Sequence, residues 1–161
     1  MKRPKVIAYT DGGCSPNPGK GGWGAYLILE GNKALMIKGF DPMTTNNKME
    51  ILASIKALET LNEESDVIIY TDSNYLKLGI TQWINDWQKN NWHTSKKEPV
   101  KNDDLWKRLL VLTQKHKVHW EWVKSHVNNV GNNIADSLAS LAKENCTSTF
   151  NKPSIFSKNL G

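Results

Sequence analysis

Residues 66–72, DVIIYTD, form a short, near-continuous apolar run rich in β-branched side chains. Strands that need no polar face are those covered on both sides, as in sheets with parallel pairing and helical layers. That requirement constrains the rest of the chain, which has to provide both neighbouring strands and covering helices. Residues 5–11, KVIAYTD, read as a second strand that ends at the Gly12-Gly13 turn. GAYLILE (24–30) and KALMIKG (33–39) flank Gly31-Asn32 and predict a hairpin. Between the first strand and that hairpin, CSPNPGKGGWG (14–24) is dense in glycine and proline and reads as a loop.

The period changes to helical after Thr45, where Ile51, Ile55, Leu58 and Leu61 make a stripe at i, i+4, i+7 and i+10. Residues 75–90 predict a helix interrupted near Gly79, and NNWHTSKKEPVKN (90–102) predicts a polar loop. Asn102 with Asp103 and Asp104 predicts a capped helix start, with the helix running to about His116. VHWEWV (118–123) alternates as a strand, and a last helix is expected over 133–144. The order βββαβαααβα puts an antiparallel meander first and helical crossovers later, so the expected fold is α/β, a mixed sheet flanked by helices.

One domain over residues 1–145 suits this length, followed by a polar tail, 146–161, expected to be disordered. The net charge of +5 favours a polyanionic partner, although a solvated lysine surface accounts for it equally. No basic leader or membrane-length apolar run is evident, so a cytoplasmic protein without membrane attachment is expected. Cys14 and Cys146 are expected to be free thiols.

Chemistry concentrates in four acids. Tyr9-Thr10-Asp11 and Tyr70-Thr71-Asp72 end two strands identically, which places both carboxylates at one end of the sheet if the strands are adjacent. Each Asp could instead start a turn by bonding its own backbone. Glu50 follows Asn47 by three residues and Asp136 follows Asn133 by three, the spacing of a helix cap and an acid in the first turn. Both acids also adjoin apolar helix positions and so could point inward. Four converging carboxylates would repel one another unless a cation sat among them, and hard oxygen donors suit Mg²⁺ or Mn²⁺.

The motifs YTDGG (9–13), TNNKMEILASIKAL (45–58), TDSNY (71–75), GITQWI (79–84), KKEPVKNDDLW (96–106) and WEWVKSH (120–126) resemble bacterial ribonuclease HI. The resemblance is collinear from about residue 5 to 144 and does not extend into the tail. It implies a ribonuclease H-like fold with a five-stranded mixed sheet. It also implies an endoribonuclease that cuts the RNA strand of RNA–DNA hybrids, leaving 5′-phosphate and 3′-hydroxyl ends. The family's metal-binding acids fall on Asp11, Glu50, Asp72 and Asp136, which would hold two Mg²⁺ ions, with Mn²⁺ able to substitute. Two such ions about 4 Å apart can clamp an in-line displacement. His126 matches the family's mobile histidine, which implies proton transfer or product release.

By position, the resemblance sends Asn17, Asn46, Asn47 and Asn74 to the minor groove of the hybrid, and Thr45 and Lys48 to a DNA phosphate. Trp87, Lys89, Lys96 and Lys97 fall in a basic protrusion that grips the DNA backbone, with Trp83 expected to pack the helices. Asp86, Gln88 and Asn90 make that stretch less basic than the family pattern, Ser125 stands where Gly is usual, and Asn133 stands where an acid is frequent. Three rivals are a hybrid-binding module, an integrase-like nuclease and a reverse-transcriptase domain. The intact acid set speaks against the first, TNNKME and the tryptophan-rich stretch against the second, and the initiating Met against the third. A monomer is expected.

Overall fold

The computed structural model describes residues 2–124 and 129–149. Its strands are β1 (Lys5–Cys14), β2 (Gly19–Leu29), β3 (Lys33–Thr44), β4 (Asp66–Thr71) and β5 (Lys117–Trp122). They form one sheet in the order β3-β2-β1-β4-β5. β1, β2 and β3 pair antiparallel, whereas β4 and β5 join parallel. The mixed five-stranded sheet is therefore present as expected. The expected hairpin pairs Leu29 with Lys33 and turns through three residues, Glu30, Gly31 and Asn32, the last two with positive φ, 85° and 62°.

The helices are α1 (Asn46–Glu59), α2 (Asn74–Leu78), α3 (Ile84–Lys89), α4 (Asp103–Lys115) and α5 (Val130–Asn145), with a wide π turn at Gly79–Trp83 joining α2 to α3. Val6, Ala8, Val67 and Ile69 point to one face of the sheet and are buried with Met49, Ile51, Ile55 and Leu58 of α1. α4 packs behind α1, and α5 lies on the opposite face, over β2, β1 and β3. Among the described residues, no helix is long and apolar enough to cross a membrane.

Several expectations are corrected. β4 is covered fully on one face only: Val67, Ile69 and Thr71 are buried, whereas Asp66, Ile68 and Tyr70 are half-buried, because α5 stops short of β4. The glycine-rich stretch is mostly strand, resuming at Gly19, since glycine is what lets α5 lie directly on the sheet. A methyl group on Gly24 would come 2.5 Å from the Ala135 carbonyl oxygen and 2.6 Å from Leu138 Cβ, both in α5. Gly24→Ala should therefore lift α5 and destabilise the fold by about 1–3 kcal/mol. It should also slow any reaction that needs Asp136, which rides on that helix. Thermal denaturation and cleavage rate together check this, and an unchanged Tm would show slack beneath α5.

The helix starts also differ. Thr45 caps α1, its Oγ1 accepting from the Lys48 N–H at 3.2 Å, and Asn129 caps α5, its Oδ1 accepting from the Asn132 N–H at 3.0 Å. Asn47 and Asn133 lie inside their helices. Asn102 precedes α4 in a left-handed conformation, φ 61°, and its Nδ2 donates to the Tyr75 hydroxyl at 3.1 Å instead of capping. The interruption expected near Gly79 is the π turn, where the Trp106 indole leaves no room for a Cβ on Gly79. Of the tail expected to be disordered, Ser148 and Thr149 are placed against the outer edge of β3. Both cysteines are free thiols.

Candidate active site

The parallel pairing of β1 with β4 sets Tyr9 opposite Tyr70, so Asp11 and Asp72 emerge side by side at the carboxyl ends of adjacent strands. Backbone packing then brings in α1. A Cβ on Gly12 would meet the Met49 carbonyl carbon and oxygen at 2.5 Å, so the second turn of α1 rests on the end of β1. That contact delivers Glu50, which follows Met49. One oxygen each from Asp11, Glu50 and Asp72 lies within 4.8 Å of the others. Asp136 of α5 stands outside that trio, exposed, and shares a cavity with Asp11.

Neither helical acid is a cap. The first turns of α1 and α5 contain no acid, because the caps lie further upstream than the sequence pattern suggested. The turn after β4 is made by its neighbours, with the Ser73 N–H donating to Thr71 Oγ1 at 3.2 Å. Asp11 does accept locally, from the Gly12 N–H at 2.9 Å.

Electrostatics show what it costs to assemble this group. Burial, the hydrogen bond to Asp136 and the charges of Asp72 and Asp136 push the Asp11 carboxyl up to about 7. Burial, and then the charges of Asp11 and Asp72, hold Glu50 well above the usual carboxylate range. The Ser73 hydroxyl and the Gly12 N–H offset this by hydrogen-bonding the Glu50 carboxylate, yet its Oε1 is buried with no hydrogen-bond partner. Repelling hard oxygens and an unpartnered buried carboxylate oxygen together fit a divalent cation.

Of the residues expected at the substrate, Asn46 shares a cavity with Asp11 and Asp136, and Asn74 a cleft with Asp72. Asn17 and Asn46 are cross-linked: Asn17 Oδ1 accepts from the Asn46 N–H at 3.2 Å and from the Cys14 thiol at 3.4 Å. Asn46 Oδ1 accepts from the Cys14 N–H at 2.8 Å. These bonds fix the carbonyl side of both amides and leave the NH₂ groups without a partner among the described residues. Asn47 and Lys48 are exposed at the start of α1, and Asn74 is exposed at the start of α2. Asn74 shares an open cleft with Asp72, Ser73, Lys77, Trp122 and Lys124.

Trp83 packs as expected, with ring centroids 5.8 Å from Tyr75 and 5.8 Å from Trp87. Trp87 belongs to the same aromatic cluster, 5.5 Å from Trp106 and 6.1 Å from Trp92, so packing takes up much of a ring expected at the substrate. Lys89, Lys96 and Lys97 are exposed beyond it. His126 and Ser125 lie outside the described residues.

Sequence reasoning missed Ser73, a buried residue that caps α2 and holds Glu50. The signal was available, since Ser directly before a helix is a cap and here follows Asp72. It also missed Ser140 and Lys143, which line a cavity with Asp11, Asp136, Cys14 and Asn46. Both are at helical spacing from Asp136, four and seven residues on.

Comparison with known proteins gives a consistent picture. The RNase H family profile matches residues 3–144. A ribonuclease H from Chromohalobacter salexigens is 50% identical over 141 residues, covering 88% of this chain and 85% of the relative. One from Francisella philomiragia is 52% identical over 141 residues, with coverage of 88% and 92%. Among solved structures, LC9-RNase H1, a type 1 RNase H with the type 2 active-site motif, superposes with a TM-score of 0.83 at 26% identity, over 93% of this chain and 77% of that one. LC11-RNase H1, solved in complex with RNA/DNA hybrid, shares the fold at a TM-score of 0.68 and 23% identity, with coverage of 88% and 98%.

Proposed function

The chain belongs to the ribonuclease H family, and from that premise we propose that it hydrolyses the RNA strand of RNA–DNA hybrids, leaving 5′-phosphate and 3′-hydroxyl ends. The observation that carries this reading is the convergence of Asp11, Glu50 and Asp72 within 4.8 Å. These four residues would hold two Mg²⁺ ions, for which Mn²⁺ can substitute. When bound, such ions stabilise charge on a phosphate and lower the pKa of a nucleophilic water.

The protein's own groups supply position. Ser73 and the Gly12 N–H orient Glu50, and the repulsion within the cluster keeps its oxygens ready for a cation. Thr45 and the exposed Lys48, at the positive end of α1, suit a DNA phosphate. The NH₂ groups of Asn17 and Asn46, with Asn47 and Asn74, can donate to 2′-hydroxyls in a wide minor groove, which is how RNA is told from DNA. The exposed edge of Trp87, with Lys89, Lys96 and Lys97, grips the DNA strand. His126 moves a proton or speeds product release. The enzyme works as a cytoplasmic monomer, with its catalytic unit in residues 1–145.

The test uses strand-labelled RNA–DNA hybrid, RNA duplex and DNA duplex, each with and without Mg²⁺. The expected result is cleavage of the hybrid's RNA strand alone, and only with metal. Binding of the hybrid without cleavage would instead support the rival reading of a binding module. Against that rival, a pure binder gains nothing from clustered negative charge facing phosphates. Replacing Lys89, Lys96 and Lys97 together by Ala should raise KM more than it lowers kcat and flatten the salt dependence of KM, because uniform binding is lost. Steady-state kinetics at two salt concentrations decide this, and an unchanged KM would make the stretch a solvated surface.

A further inference from the structure

α5 carries Asp136, Ser140 and Lys143 on one side, at i, i+4 and i+7. Its small residues Ala135, Ala139 and Ala142 are buried against the sheet. Glycines let the helix sit close. A Cβ on Gly24 would meet the Ala135 carbonyl oxygen at 2.5 Å, and one on Gly22 would meet the Lys143 backbone nitrogen at 2.9 Å. Gly24 pairs with Asp11 and Gly22 with Gly13. The backbone of Lys143 is thereby anchored two strand residues beyond the level of Asp11, a rise of ~7 Å along β1. That rise is comparable to the step between successive phosphates on a nucleic-acid strand.

Between α5 and the end of β1 lies a cleft of about 150 Å³, large beside the ~15 Å³ that a single water needs. Two kinds of group line it: the acids Asp11 and Asp136, and the donors Asn46, Ser140 and Lys143. Lys143 is half-buried, and its ammonium forms no ion pair with an acid among the described residues. A lysine in the last turn of α5 also suits the helix dipole, but that role requires neither the cleft nor the nearby acids. Resting on the hydrolysis of hybrids argued above, we propose that Lys143 positions the RNA strand. Its ammonium, with the Ser140 hydroxyl beside it, binds the phosphate next to the one being cut. The scissile phosphate goes to the cations among the acids, and the strand that carries it continues through the cleft they share with Lys143.

The test compares the parent with Lys143→Gln, Lys143→Arg and a control, Lys33→Gln, which removes an exposed charge at the far hairpin. Substrates are RNA–DNA hybrids carrying a single neutral methylphosphonate beside the cleavage site, in the RNA strand or in the DNA strand. Lys143→Gln should raise KM by about 3–10-fold, leave kcat within about twofold and flatten the salt slope of log KM by about 1. Lys143→Arg should restore all three. One methylphosphonate in the RNA strand should weaken the parent by a similar factor and leave Lys143→Gln unaffected, which a merely structural lysine would not produce. A parental KM and salt slope in Lys143→Gln would overturn the proposal, and so would an equal change in Lys33→Gln. Methylphosphonate effects that persist in the variant, or that appear only in the DNA strand, would overturn it as well. Failure of the parent itself to cut the unmodified hybrid is a separate outcome, which removes the functional reading and this proposal with it.

Discussion

Asp11→Asn or Asp72→Asn reduces hybrid cleavage by at least about a thousandfold while hybrid affinity stays near that of the parent. A thousandfold corresponds to roughly 4 kcal/mol of lost transition-state stabilisation, within what a displaced catalytic cation accounts for. Affinity survives because the groups placed at the substrate lie on other elements: Asn17 and Asn46 in their own hydrogen-bonded frame, and the lysines beyond α3. Asn keeps the shape of Asp, so the packing of Gly12 under Met49 is undisturbed. Single-turnover cleavage and filter binding on the same preparations separate the two effects. Near-parental cleavage by either variant would remove these carboxylates from the metal site, and lost binding would place them in substrate contact instead.

How much of this was legible in the sequence depends on which physical scale set each feature. Strand and helix identity follow side-chain period, so the strands at 5–11 and 66–72 and the helix stripe from Ile51 to Leu61 could be read directly. The duplicated Tyr-Thr-Asp ends located Asp11 and Asp72, and the parallel register of Tyr9 with Tyr70 brought them together. Caps were misplaced because Asn47 and Asn133 each precede an acid by three residues, whereas Thr45 and Asn129 make the actual capping bonds. Local spacing cannot choose between two polar residues within one turn of each other; the packing of α1 on Gly12 and of α5 on Gly24 does. The same close approach explains why a glycine-rich stretch is strand here. As isolated sequence it looks like a loop, and only the helix above it gives the missing side chains a purpose. Half-coverage of β4 was equally hidden, since Ile68 and Ile69 read alike until α5 is seen to stop short of them.

Without metal, this protein should lose stability as pH rises. The Asp11 carboxyl sits at about 7 in the folded chain, against an ordinary value of 3.8. A raised acid binds more protons folded than unfolded, so the slope of stability with pH is negative between the two values. Below the unfolded value there is no penalty, and above about 7 the penalty is complete. Glu50 shifts in the same direction for the same reasons, burial first and then Asp11 and Asp72. Between pH 5 and pH 8 the metal-free protein should therefore lose on the order of 2 kcal/mol, after allowance for water at the mouth of the site. Asp11→Asn should remove much of that slope and leave the metal-free protein more stable than the parent at pH 8. Adding Mg²⁺ at pH 8 should restore stability to the parent, because the cation offsets the repulsion among the ionised carboxylates. It should do little for the variant. Denaturant titrations at pH 5 and 8, with chelator or with Mg²⁺, measure all four corners. A metal-free stability that is flat or rises over this range would mean the carboxylates are not in mutual repulsion, and the case for a cation among them would fail with it.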